Sequence, residues 1–181
     1  MDDYSEYRAV LAKVDAKFAE IEQRHPQQFA CRRGCHSCCL PGLTVAEVER
    51  AHIAEWLDRH PETVAHLQQL AASDPHSSQR CAFLDAQGGC AVFAVRPLMC
   101  RVHGAPTRVT GQSGGGVVLD VCRLNFAGPQ APLLSDLPTA DFVDQQLVAT
   151  LLYVVGQRFA GPLAGRRTVL RLGPILQPGS E

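Results

Sequence analysis

The chain has 181 residues, 46% of them hydrophobic and 19% charged, which suits one domain large enough to bury its own core. A formal net charge of −1, with no long run of like charge, argues against a nucleic-acid footprint or a polybasic membrane anchor. The longest apolar run, Leu147 to Val155, is too short to span a bilayer, and the acidic start Met1 to Glu6 does not read as a signal peptide, so a cytoplasmic protein is expected.

In chain order, Tyr4, Tyr7, Leu11, Val14, Phe18 and Ile21 recur at spacings of three and four over Asp2 to Arg24 and predict an amphipathic helix packed on the domain's own core. His25-Pro26 ends it, and Cys31 to Gly42 then reads as a loop, turning at Gly34 and Pro41-Gly42. Thr44 and Glu47 form a capping box, with Leu43 and Val48 as its hydrophobic staple, and the helix that follows presents Val45, Val48, His52 and Trp56 on one face. Pro61 opens a second short helix over about Glu62 to Ala72, with Val64, Leu67 and Leu70 or Ala71 inward.

Ser73 to Gln79 is a polar link, after which Cys81-Ala-Phe-Leu and Cys90-Ala-Val-Phe flank a glycine turn as a small hairpin. A second hairpin is expected from Thr107–Thr110 and Val117–Val121, with Gly114-Gly115-Gly116 in its turn, and Asn125 to Pro138 reads as irregular chain. A last helix is expected over Thr139 to Phe159, with Asp141 and Asp144 in its first turn and a central position implied by its apolar run. Residues 162–181 read as an irregular tail with at most a short strand at Thr168 to Leu172. The fold class expected is α+β: one mainly helical domain over residues 1–181, with small hairpins around a cysteine-ligated metal site.

The cysteines carry the chemistry. All eight, Cys31, Cys35, Cys38, Cys39, Cys81, Cys90, Cys100 and Cys122, are candidate metal ligands, because at about 4% of the chain they are too sparse for a disulfide scaffold. Gaps of two or three residues, as in Cys31-x3-Cys35-x2-Cys38, let one loop turn several sulfurs toward one point. The neighbours Cys38 and Cys39 reach one ion only through a tight turn; otherwise there are two metals, since eight thiolates could fill two four-coordinate sites. Arg96 and Arg101, on either side of Cys100, are placed to offset the negative charge of a thiolate centre, as Arg32, Arg33 and Arg123 could be near other cysteines. His36 and His103 are weaker ligand candidates, and His52 reads as a packing residue on its helix face.

These motifs resemble the zinc- or iron-chelating cysteine-cluster domain, also called the YkgJ family. Its hallmark stands here as CRRGCHSCC, Cys31 to Cys39, and its second block as CAFLDAQGGCAVFAVRPLMCR, Cys81 to Arg101, with Ala82 where proline is usual. The resemblance covers about Cys31 to His103, which delimits a metal-binding core, and leaves Cys122 outside the matched blocks. It implies metal or iron–sulfur binding; a related domain in flagellin lysine methylases is linked to an iron–sulfur cluster. The first reading is therefore a metal-binding protein holding a 4Fe–4S cluster, with zinc as the alternative cofactor and both blocks sharing one site. An enzyme using that centre in redox or methyltransfer-associated chemistry, and a structural zinc module, are the other readings. Radical S-adenosylmethionine chemistry shares the three-cysteine spacing, but a helix precedes the motif here, Cys39 follows it at once, and few strands are available to build that barrel.

Overall fold

The computed structural model describes residues 3–74, 77–111 and 116–177. The fold is α+β and mainly helical, in the order α1 (Ser5–Arg24), β1 (Thr44–Ala46), α2 (Glu47–Asp58), α3 (Pro61–Ser73), α4 (Leu98–Val102), β2 (Thr107–Thr110), β3 (Val117–Asp120), β4 (Val143–Asp144), α5 (Gln145–Ala160), β5 (Arg167–Val169) and α6 (Leu172–Leu176). Its contacts divide the chain into two compact units, one built on Arg32–Pro97 with the two ends of the chain, the other on Ser5–Cys31 and Leu98–Val154.

The first unit is organised around α2. The helix starts two residues later than its sequence suggests, because Thr44, Val45 and Ala46 pair antiparallel with Val169, Thr168 and Arg167. The capping chemistry shifts with it: Glu49, not Glu47, accepts the N–H of Ala46, at 2.8 Å. Val45 thus enters the core from a strand, alongside Ile53 and Leu57 of α2, Leu67 of α3, Phe83, Val92, Leu170 and Ile175. Each such side chain contributes about 1.5–3 kcal/mol of burial. His52 is buried and packs on the Tyr4 ring, with centroids 5.2 Å apart, as a packing residue should. Trp56 is half-buried and stacks on His60 at 3.8 Å. Leu170 and Ile175 come from the tail, where β5 forms about where a short strand was allowed and α6 was not expected. Residues 75 and 76 of the polar link lie outside the described residues.

In the second unit α1 buries Tyr7, Val10, Leu11, Val14 and Ile21 and packs against α4. The hairpin of β2 and β3 forms as expected, with Thr107 opposite Asp120 and Thr110 opposite Val117. The glycine run of its turn falls largely in residues 112–115, outside the described residues. β4 adds to the other edge of β2 in parallel, pairing Val143 with Thr107. That pairing overturns the expected helix start at Thr139, since α5 begins only at Gln145, where Asp144 accepts the N–H of Leu147 at 3.0 Å as its N-cap. Asp141 is not a first-turn charge; it is buried, with Arg24 at 2.6 Å and His25 at 2.7 Å. Nor is α5 central: Val148 and Val155 are buried, whereas Leu147, Tyr153 and Val154 are exposed. An apolar run here marks one narrow buried stripe and not a helix enclosed on all sides.

Candidate metal centre

In the first unit three consecutive turns shape the cysteine loop. The N–H of Cys35 bonds the carbonyl of Arg32 at 2.9 Å across a turn whose third residue, Gly34, has φ +88°, a conformation in which side chains other than glycine are strained. The N–H of Cys39 closes the next turn on His36, at 2.9 Å, and the N–H of Leu40 bonds the carbonyl of Cys38, also at 2.9 Å. The chain is therefore tightly turned at Cys38-Cys39, and the two neighbouring thiols are hydrogen-bonded to each other.

The second block is tied to this loop by the N–H of Cys81, which bonds the carbonyl of Cys39 at 2.9 Å. Asp85 builds the turn that follows: its carboxylate accepts the N–H groups of Gln87 and Gly89, and its own N–H bonds the carbonyl of Gly89 at 2.7 Å. Only a single bridge, Leu84 opposite Cys90, stands where strands were expected, and the N–H of Ala91 bonds the carbonyl of Phe83 at 2.8 Å. Cys81 and Cys90 each open a turn, closed by Leu84 at 3.2 Å and Phe93 at 3.2 Å. In each turn the sulfur accepts a backbone N–H two residues on, from Phe83 and Val92 respectively.

The electrostatics report how close these thiols are. The Cys39 thiol is raised well above the usual range by its hydrogen bond with Cys38, by burial, and by the negative charges of Cys38, Cys81 and Cys90. Burial raises Cys81 and Cys90 as well, and the backbone N–H bonds pull both back; Cys81 and Asp85 push Cys90 further up, while Arg96 lowers it. Crowding four thiolates is costly without a cation, and a bound metal reverses that preference. Among the described residues no three Cys, His, Asp or Glu side chains converge in metal-binding geometry, so the thiols are neighbours rather than a finished coordination sphere. Cys35 is half-buried in the same unit, at the close of the first turn.

Cys31, Cys100 and Cys122 belong to the second unit. Cys31 faces an amide: Nδ2 of Asn125 lies 3.3 Å from its sulfur. Asn125 is itself buried, accepting the N–H of Ala30 at 2.8 Å and donating to the carbonyl of Gly104 at 2.7 Å. Gly104 has φ +111°, and a Cβ there would stand 2.9 Å from the Cys31 sulfur. The N–H of Asn125 closes a turn on Cys122 at 2.8 Å. Sequence reasoning passed over Asn125 as part of an irregular stretch; its spacing, three residues after a cysteine, was the available signal. Cys100 is half-buried on α4.

The arginines divide. Arg96 lies over the Phe93 ring at 4.2 Å and its charge reaches Cys90. Arg101 is buried and ion-paired with Asp15 of α1 at 2.5 Å. Arg33 is exposed, 3.5 Å from Asp85. His36 is exposed with Nδ1 2.8 Å from the carbonyl of Gly34, and His103 is exposed.

Residues 30–118, just under half of the chain, match the model of the CxxCxxCC family, described as a "putative zinc- or iron-chelating domain". This segment belongs to the CxxCxxCC family. It takes in all the cysteines except Cys122. No curated protein and no solved structure matches the chain. Among the described residues no helix is long and apolar enough to cross a membrane.

Proposed function

We propose that Cys38, Cys39, Cys81 and Cys90 hold the metal of this CxxCxxCC domain and that the native centre is a 4Fe–4S cluster. The observation that supports this reading is the bond that ties the two blocks, from the N–H of Cys81 to the carbonyl of Cys39 at 2.9 Å, with Cys39 close enough to feel the charge of Cys38, Cys81 and Cys90. Four soft sulfur donors suit a thiophilic metal and not calcium or magnesium.

A cluster bound there would supply one-electron chemistry. The chain's own contribution is the pair of N–H bonds to Cys81 and Cys90 and the charge of Arg96, the kind of groups that set a cluster's potential. The remaining thiols, Cys31, Cys35, Cys100 and Cys122, are left for a second metal or for structural roles. Thiols kept free for ligation suit a reducing compartment, and we place the protein in the cytoplasm.

A structural zinc site is the second reading, favoured by the number of donors, since a tetrahedral zinc shell takes four thiolates. Anaerobic purification followed by iron, zinc and acid-labile sulfide analysis separates the two. The iron reading expects brown protein with iron and sulfide in comparable amounts, bleaching in air. Colourless, fully stable protein with stoichiometric zinc and no sulfide would overturn it.

A further inference from the structure

Between α3, the Cys81 turn and the start of α6 lies a cavity of about 400 Å³. That is within the range of sites for small organic ligands, about 300–1,000 Å³. Leu67 and Leu70 of α3, Leu84 and Leu172 supply apolar lining, Arg80 and Arg171 are its charged residues, and among the described residues no carboxylate side chain lines it.

The two arginines are not equivalent. Arg80 is paired with Asp74 at 2.8 Å, which cancels much of its charge locally. Arg171 is exposed, and among the described residues it forms no ion pair. An apolar recess with one uncompensated guanidinium is complementary to a molecule that is greasy along its body and anionic at one end. A cation would meet Arg171 with like charge, and a neutral hydrocarbon would leave the guanidinium unanswered.

We infer that this cavity binds a small amphipathic carboxylate, its chain along Leu67, Leu70, Leu84 and Leu172 and its carboxylate on Arg171. Cys81 is also part of the lining, so the ligand lies against one of the thiols assigned to the metal. The inference does not depend on that assignment, because none of the ligand's contacts is a metal.

The probe is octanoate, titrated into the full chain as purified with its metal and followed by calorimetry and amide chemical shifts. Saturable one-to-one binding is expected, with shifts concentrated at residues 67–71, 81–84 and 171–172. Octylamine, with the same chain and the opposite charge, should bind about tenfold more weakly or worse. Arg171→Glu should lower octanoate affinity by a similar factor, and Arg171→Lys should keep most of it. Ala71→Trp, at an exposed position on the lining, should fill the recess and block binding without disturbing the buried core. Metal content is measured on every sample, so loss of octanoate binding with metal retained reports on the cavity, while loss of metal bears on the metal reading alone. Absence of saturable octanoate binding, equal binding of octylamine, or undiminished affinity in Arg171→Glu would each overturn the inference.

Discussion

In the unit built on Arg32–Pro97 the Cys39 thiol is hydrogen-bonded to that of Cys38, whereas in the other unit Cys31 faces the side-chain amide of Asn125. The difference lies in what each environment asks of the sulfur. Cys39 is pushed toward its neutral form by three neighbouring thiols and by burial, a conflict that a cation removes. Cys31 meets a donor whose remaining bonds go to the backbone of Ala30 and Gly104, an arrangement already satisfied as it stands. On the proposed assignment the first group awaits a metal, while Cys31 already has a polar partner in the fold. Cysteines that look alike in a spacing pattern therefore need not share a role.

The sharpest way to break this comparison is to remove one thiol from each group. Cys39→Ser or Cys81→Ser should abolish stoichiometric metal, and, since ligation and folding are coupled, lower the unfolding temperature as well. Cys31→Ser and Cys122→Ser should retain most of the metal held by the other group. Metal analysis of anaerobically purified variants decides it: equal loss from all four would mean that every cysteine serves one assembly.

Asn125→Ala tests the opposite side. It would leave the N–H of Ala30 and the carbonyl of Gly104 without their buried partner, at a cost of about 2–4 kcal/mol by the usual penalty for unsatisfied groups. Denaturant unfolding should show that loss while iron or zinc content stays near that of the parent. A variant of full stability would return Asn125 to the irregular stretch in which its sequence neighbours place it.

The sequence made some of this legible, and the reason is range. α1 could be read because its apolar residues repeat at helical spacing within one segment, and the β2–β3 hairpin because its partners are local. The start of α2 was misplaced because Thr44 pairs with Val169, a partner no local pattern discloses. The same holds for α5, where Thr139 to Asp144 carries convincing helix-start residues but Val143 is claimed by β2. The two cysteine blocks were legible as motifs. Which sulfurs are neighbours was not, because that depends on the bond from Cys81 to Cys39 and on turns set by Gly34 and Asp85. Asn125 was hidden because a lone polar residue in a Pro- and Gly-rich stretch looks like solvated loop.

A smaller effect is expected at Asp141, which belongs to the same unit as Asn125. Burial by itself would raise its carboxyl, but the hydrogen bond from His25 and the charge of Arg24 hold it below the ordinary carboxylate range. A carboxyl depressed in the folded state stabilises above its unfolded pKa of about 3.9. That contribution is lost as pH falls through the folded value. Asp141→Asn should therefore cost about 2 kcal/mol at neutral pH, less than a fully buried pair because Arg24 is half exposed. The cost should begin to shrink below about pH 4, where the carboxyl of the unfolded chain takes up its proton, and vanish only once the pH falls through the lower folded value. Urea unfolding at pH 7 and pH 3 measures both; a pH-independent difference would assign the effect to packing.

The smallest expected change separates two arginines that are five positions apart and look interchangeable in sequence. The charge of Arg96 reaches Cys90, whereas the contact seen for Arg101 is its ion pair with Asp15. Arg96→Gln removes the charge and keeps much of the side chain over Phe93, so stability should barely move. Metal release to a chelator should quicken, by roughly two- to tenfold for one partly screened charge. Arg101→Ala should do the reverse, costing about 1–3 kcal/mol through the lost buried contact with α1 and leaving chelator kinetics close to the parent. Chelator-release rates set beside unfolding curves for the two variants give the answer directly. Faster release in Arg101→Ala with unchanged stability would transfer to Arg101 the role assigned here to Arg96, and with it extend the influence of the second unit to the metal.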